Sequence, residues 1–333
     1  MKIQDAIEGF LIDRSSAKCS PPTLRWYRYK LSMFAGAMER QGVTEIEQLR
    51  VQQLRAFVLE LQETVADTNN PYKPARADGA KLSDLTVRGF VQVIKTFCKW
   101  LYMEELLEED PSLRLRRPKT RSYVIKTFSA ANIEDMLAEC DRRSHIGFRD
   151  YTIILLFCDT GIRLGELCKL RVDNVHISTG GESSYIKVLG KGDKEREVGL
   201  SPAVAKTMWK YMTVHRQVKE SPEKRVFIGR YGKPITSPGV QAMLRTIKRK
   251  VGLEGLRVSP HTFRHTFSNM YVEAGGKVER LSRELGHSKI VVTEQYLKQF
   301  SSHSARDEHD KFSPVQNLNL GKRRGAKDGR EKA

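Results

Sequence analysis

Between Ser259 and Phe300 the chain concentrates side chains that handle anionic oxygens and protons: His261, Arg264, His287 and Tyr296. Ser259-Pro260 reads as an N-cap followed by the first helical residue, so a helix starts near His261. His261 and Arg264 lie three apart and share one face of it. Gly275 and Gly276 end that helix, and a second one carries Leu281 and Leu285 four apart before Gly286 stops it. His287 follows the stop, and Ser288 caps a third helix that presents Thr293 and Tyr296 on one side. A guanidinium grips two oxygens of an anion at once, an imidazole moves protons, and a phenol supplies an oxygen nucleophile. Together these groups suit a phosphodiester. His265 reads equally well as a packed helix residue and stands outside the set.

The elements that would position these groups lie upstream. DYTIILLFCDTG is nearly all apolar, so it forms a helix buried in a core and ending at Gly161. It delivers Arg163 beside that core. A buried arginine needs an anionic partner, which leaves Arg163 either salt-bridged or facing a ligand phosphate. Glu166, three residues on, is placed to hold its guanidinium. Tyr185, Lys187 and Leu189 alternate with Ile186 and Val188 in a strand pattern, and EREVGL returns after KGDK. Lys191 therefore falls at a hairpin turn, where a lysine by itself carries no message. Ser129 caps the first helix of this half, with Phe128 against Ile133 as a hydrophobic staple. Ser201-Pro202 and Ser237-Pro238 open two more.

The first part of the chain reads as helical. Ile3, Ala6, Ile7 and Phe10 form one apolar stripe; Thr23 caps a second helix with Leu24, Tyr27, Leu31 and Phe34. Leu49, Leu54, Phe57, Val58 and Leu61 give a third. After a loop from Thr68 to Ser83, a fourth buries Phe90, Ile94, Phe97 and Leu101. Arg25, Arg28 and Lys30 on the second helix, and Arg88, Lys95 and Lys99 on the fourth, are expected on the outer faces of this bundle. The next stretch carries two prolines and Arg114, Arg116, Arg117 and Lys119. It reads as an extended basic linker that lies against phosphates.

Composition agrees. The 333 residues carry a formal net charge of +18, which favours a polyanionic partner, nucleic acid first. A basic membrane-surface protein is the alternative, but no long apolar or amphipathic run supports it. MKIQDAIEGFLIDR is too polar for a signal peptide, so a cytoplasmic, nucleoid-associated protein is expected. Cys19, Cys98, Cys140, Cys158 and Cys168 are odd in number and contain no C-x-x-C pair. They read as reduced thiols, without a zinc site or disulfide framework.

Three motifs carry a resemblance. His261-x-x-Arg264, Gly286-His287 and Tyr296 resemble the signature of the tyrosine recombinase (phage integrase) family. Thr160-Gly161-Ile162-Arg163-Leu164-Gly165-Glu166-Leu167 is similar to its TG-x-R-x-x-E-L segment, and Gly190-Lys191-Gly192-Asp193-Lys194-Glu195-Arg196 to its GKG-x-K-x-R hairpin. Phe263 stands where leucine is commoner. The resemblance implies a mainly α fold with a small β-sheet: a helical, SAM-like core-binding bundle at 1–112, a basic linker at 113–127, a catalytic domain at 128–306 and a disordered basic tail at 307–333. It implies Tyr296 as nucleophile, Arg163 and Arg264 as oxyanion stabilisers, His261 as general base, Lys191 rather than Lys194 as general acid, and His287 as a donor to a phosphate oxygen. Glu166 would act behind Arg163. No cofactor or metal is expected. The implied partners are double-stranded DNA and three further protomers, the free protein being monomeric or weakly oligomeric, with a Holliday junction as intermediate. A type IB topoisomerase and a non-catalytic DNA-binding protein are the competing readings. Because the bundle begins almost at Met1, no separate arm-binding domain is expected before it, which favours a two-domain Xer-like or mobile-element enzyme.

Overall fold

The computed structural model describes residues 1–65, 79–119, 126–178, 183–190, 195–218 and 223–286. Lys191, Lys194, His287, the helix expected after Ser288 with Thr293 and Tyr296, and the tail from 307 lie outside them, as does most of the loop expected at 68–83. Two compact units divide the chain, Met1–Tyr123 and Val124–Ala333. Among the described residues, no helix is long and apolar enough to cross a membrane.

The first unit is built on four helices, α1 (Ile3–Ser16), α2 (Pro21–Arg40), α3 (Val51–Glu63) and α4 (Asp84–Met103). Their apolar stripes meet in one core in which Phe10, Phe34, Phe57, Phe90 and Phe97 are almost wholly buried. Edge-to-face contacts join Phe10 to Phe97 and Phe34 to Phe57, the arrangement that ring quadrupoles favour. Ser83 caps α4 by accepting from the Thr86 amide. The expected cap at Thr23 is corrected: Pro21 and Pro22 occupy the first helical positions, and Ser20 takes the N-cap place, because proline fits the first turn with no amide to satisfy.

Two of the basic residues assigned to outer faces are also corrected. Lys30 is 5% exposed, and its Nζ sits 3.5 Å from the Phe90 ring centroid. Burial brings its pKa down to about 8. Lys95 donates to the carbonyls of Ser112 and Leu115 at 2.5 and 3.1 Å. That clamp holds the start of the expected linker on the bundle, where Leu115 joins the core. Arg28 is exposed and paired with Glu8 at 2.7 Å. Arg25, Arg88, Lys99, Arg114, Arg116, Arg117 and Lys119 are exposed.

The second unit comprises α5 (Ala130–Ala138), α6 (His145–Thr160), α7 (Leu164–Lys169), a sheet, then α8 (Pro202–Lys210), α9 (Ser237–Val251), α10 (Pro260–Glu273) and α11 (Val278–Leu285). Strands β1 (Val175–His176), β2 (Tyr185–Leu189) and β3 (Glu195–Gly199) form an antiparallel sheet in chain order. The β2–β3 register pairs Ile186 with Val198, Val188 with Arg196 and Leu189 with Glu195. Ser129 caps α5 in a capping box with Asn132. Helix α6 lies in the core with Ile153, Ile154, Leu156 and Phe157 fully covered, and α10 packs on it. Phe263 of α10 is fully buried between Phe128 and Phe157, at centroid distances of 4.6 and 5.7 Å. Helix α9 opens with Ser237-Pro238 as expected, and Thr236 caps it.

Candidate active site

Helix α6 ends because Gly161 adopts a left-handed conformation, φ 56°, which costs glycine nothing. There is no room for more: a Cβ at Gly161 would come within 2.7 Å of the Phe267 ring and 3.1 Å of Leu285. The turn thus seats the end of α6 directly on α10 and α11, whose Phe267, Leu281 and Leu285 form a small apolar cluster of their own. Burying Leu281 and Leu285 contributes about 1.5–3 kcal/mol each. This cluster fixes the backbone from which the polar site is built.

Arg264 is 4% exposed. Its Nη1 donates to the Gly161 carbonyl at 2.9 Å, and its Nη2 to the Leu285 carbonyl at 2.6 Å. Helix C-termini leave carbonyls unpaired, and here two of them orient one guanidinium. Arg163, one residue beyond Ile162 and at the N-terminus of α7, donates through Nη2 to the Gly286 carbonyl at 3.1 Å. The two arginines therefore bond to consecutive carbonyls of a single turn. Arg163 also donates through Nη1 to Glu166 Oε1 at 2.9 Å, while its backbone N–H donates to Glu166 Oε2 at 2.9 Å. The expected Arg163–Glu166 contact is present, and Arg163 remains 36% exposed along its side chain.

A third arginine joins them. Arg196 of β3 reaches Glu166 with two parallel bonds, Nη1 to Oε1 at 2.7 Å and Nη2 to Oε2 at 2.9 Å, and its Nε donates to the Glu284 carbonyl at 2.8 Å. It passes beneath Gly286, where an added Cβ would lie 3.0–3.1 Å from the Arg196 side chain. In the sequence Arg196 is only the last residue of the Gly190–Arg196 motif. The missed signal was strand alternation: Arg196 and the buried Val198 share one face of β3, so its charge needed an internal partner. Burial pushes the Glu166 carboxyl up, but hydrogen bonds from Arg196 and Arg163 outweigh it and hold the group below its ordinary pKa. One carboxylate thus serves two guanidiniums, while Arg264 is held by main-chain carbonyls; with three arginines to one glutamate the site keeps an excess of positive charge.

Ser259 caps α10 by accepting from the Thr262 amide, with Pro260 as the first helical residue. His261 lies in the first turn and is exposed. Its pKa falls below the ordinary imidazole range through burial of part of the ring, then through Arg257, Arg264 and Arg163. The shift favours the neutral imidazole, the form that accepts a proton. His265 is pushed down to about 4 by burial and by His261 and Arg264, in keeping with a packed helix residue. Among the described residues no group of His, Cys, Asp or Glu could hold a metal ion. Of the six catalytic candidates, Arg163, His261 and Arg264 are brought together with Glu166; Tyr296, Lys191 and His287 lie outside the described residues.

What the arrangement offers is a preorganised cationic seat for a tetrahedral or trigonal-bipyramidal anion, bordered by a neutral imidazole. Comparison with known proteins agrees. The phage integrase family matches residues 126–303. A tyrosine recombinase XerD of Listeria monocytogenes is 26% identical over 298 residues, covering 88% of this chain and 92% of its own. A tyrosine recombinase XerC of Leptospira interrogans is 29% identical over 282 residues, covering 84% of this chain and 83% of its own. In fold, the chain is similar to the Tn1549 transposon integrase in complex with transposon right-end DNA (TM-score 0.71, 17% identity, 93% of this chain and 99% of that one). It is also similar to the XerH site-specific recombinase bound to its difH substrate (TM-score 0.65, 16% identity, 90% and 82%). With the family matched across its second unit and relatives matched along most of its length, the chain belongs to the phage integrase family of tyrosine-type site-specific DNA recombinases, and is of the Xer-like kind.

Proposed function

We propose that this recombinase binds double-stranded DNA and cuts one strand at a time by attack of Tyr296 on a phosphodiester. The Tyr296 oxygen forms a bond to phosphorus while the bond to the 5′ oxygen breaks, leaving a 3′-phosphotyrosine and a free 5′-hydroxyl. The phenolic proton passes to His261, and Lys191 delivers a proton to the departing 5′ oxygen. Arg163 and Arg264 hold the non-bridging oxygens, with His287 as a further donor. Rejoining is the same sequence run backwards from the 5′-hydroxyl of another strand. The bond energy stays in the phosphotyrosine, so no nucleotide cofactor is consumed.

The observation that supports this best is the pairing of Arg163 and Arg264 on the consecutive carbonyls of Gly286 and Leu285. It sets two guanidiniums side by side, one step in sequence before His287, and donors fixed before the reaction need no reorganisation as charge develops. Loss of either arginine is expected to cost about 3–4 kcal/mol of transition-state stabilisation, as for an oxyanion-hole donor. In this reading the first unit closes on the duplex through Arg25, Arg88, Lys99 and the basic run Arg114, Arg116, Arg117 and Lys119. Four protomers act on two duplexes through a Holliday junction, and the free protein is monomeric or weakly associated.

The test is to incubate wild type and Tyr296→Phe with fragmented DNA of the source cell in EDTA, denature in SDS, and sequence the DNA retained on protein. Adducts at one short inverted repeat, absent from the variant, are the expected result. Scattered adducts would replace the proposal with a topoisomerase. Tight binding without adducts, on a nicked trapping duplex as well, would replace it with a non-catalytic DNA-binding protein.

A further inference from the structure

The bidentate Arg196–Glu166 contact belongs to no step just described, yet it joins β3, α7 and the end of α11. Through one side chain, β3 is tied to the carboxylate that orients Arg163, to the Glu284 carbonyl, and to the underside of the Gly286 turn. The Arg196 side chain is 13% exposed and that of Glu166 5%, so this is an interior tie. Its place in the sheet gives it a second consequence. Arg196 is the second residue of β3, and Glu195 beside it pairs with Leu189, the last residue of β2. In the sequence Lys191 follows Leu189 by two residues and precedes Glu195 by four. Fixing Arg196 therefore fixes the two strand ends that flank Lys191 in the sequence.

We infer that Arg196 is a positioning residue: by clamping β3 to Glu166 it ties the strand ends between which Lys191 lies in the sequence to the carboxylate that orients Arg163, and so governs proton delivery to the leaving 5′ oxygen. This rests on the reading of Lys191 as general acid. The competing account is that Arg196 only steadies Glu166 and hence Arg163, with no bearing on the leaving group. The two accounts differ in chemistry. If the 5′-bridging oxygen is replaced by sulfur, the bond that breaks is P–S, and the thiolate leaves without taking a proton. A defect in proton delivery is then relieved, whereas a defect in holding the non-bridging oxygens is not.

The experiment measures single-turnover cleavage of two duplexes carrying the recombination site recovered from the adduct mapping, one all-oxygen and one with sulfur at the 5′-bridging position. Wild type, Lys191→Ala, Arg196→Ala and Arg196→Lys are compared. Arg196→Lys keeps a cation beside Glu166, and so a folded site, while losing the fork geometry that makes two parallel bonds. On the oxygen duplex the Arg196 variants are expected to cleave about 10²-fold slower, the size of effect a misplaced catalytic group produces. On the sulfur duplex their gap from wild type should shrink to under about tenfold. An equal defect on both duplexes, or none on either, overturns the inference. Lys191→Ala separates the two levels of argument. If sulfur rescues it but not the Arg196 variants, only the role of Arg196 falls; if sulfur fails to rescue it, the general-acid assignment falls and the inference with it.

Discussion

Replacing Glu166 by glutamine is the most informative single perturbation of this site. It keeps the shape of the side chain and removes one charge. That charge lies between Arg163 and Arg196, at 2.9 and 2.7 Å from their nearest guanidinium nitrogens. The carboxylate accepts four hydrogen bonds, one of them from the Arg163 backbone. A glutamine amide offers one oxygen where the carboxylate offered two, and turns an N–H donor towards cations. Breaking a buried ion pair by removing one partner costs about 3–5 kcal/mol. Arg163 is 36% exposed and can recover solvent, so the lower end applies, about 3 kcal/mol. With a urea dependence of about 2 kcal/mol/M, the midpoint for the second unit should fall by about 1.5 M.

The pH dependence checks the cause. Glu166 titrates below its ordinary carboxylate value in the folded chain, so its ionised form is favoured by folding. Its contribution is complete above the unfolded-state pKa, about 4.3, and fades as pH falls through the depressed folded value. The midpoint difference between wild type and Glu166→Gln should therefore be constant from pH 7 to about pH 5 and narrow below pH 4. Urea titrations followed by far-ultraviolet circular dichroism at pH 7, 5 and 3.5 measure it. A shift below about 0.3 M at pH 7 would refute the idea that Glu166 is the electrostatic hub. A difference that persists unchanged at pH 3.5 would attribute the loss to packing.

The other outcomes concern the rest of the chain. Arg257→Gln removes a charge that, after burial, holds the His261 pKa down. The acid limb of the cleavage pH profile, which needs neutral His261, should move to higher pH, and an unchanged limb would argue against His261 as the base. Gly161→Ala forces a Cβ to 2.7 Å from Phe267 at a positive φ. It should lower the stability of the second unit by about 1–3 kcal/mol in urea titration, and slow cleavage by moving the carbonyl that orients Arg264. Arg116→Gln should reduce the slope of log K against log salt by about 1 if it meets a phosphate. Lys30→Met should leave that slope unchanged, since Lys30 is buried over Phe90. It should also raise the urea midpoint of the first unit at pH 7, where folding works against a lysine with a lowered pKa.

Where local pattern and fold agreed, the sequence was sufficient. Ser129 and Ser259 cap the helices that their positions foretold, because a cap is a matter of a few adjacent residues. Arg163 and Glu166 were legible as a pair because they sit three apart across a helix start. Lys30 and Lys95 were misread for a common reason. The helical period places Lys30 between Tyr27 and Phe34, on the inward stripe, and a lysine's four-carbon stem can lie there as an apolar side chain. Its cationic tip was then counted as surface. Lys95 looked like one more basic residue facing outward, yet its ammonium meets carbonyls of a segment that passes back over α4. No local pattern announces a contact between residues so far apart.

The arginines show where such reading stops. Arg264 could be placed on α10 with His261 from spacing alone, but its partners are the main-chain carbonyls of Gly161 and Leu285, which every residue possesses and no sequence marks. Arg196 is the harder case. Its strand face could be counted, since Val198 two positions on is buried, and a charge on an inward face demands a counter-charge. Which carboxylate would answer could not be counted, because Glu166 was already assigned to Arg163. That one acid serves two arginines follows only from the meeting of β3, α7 and the end of α11. The same meeting explains why the site needs Gly286: its φ of 63° turns the chain, and its missing side chain leaves the space in which Arg196 reaches Glu166. A glycine that reads as a helix stop thus also makes room for the arginine that ties β3 to Glu166.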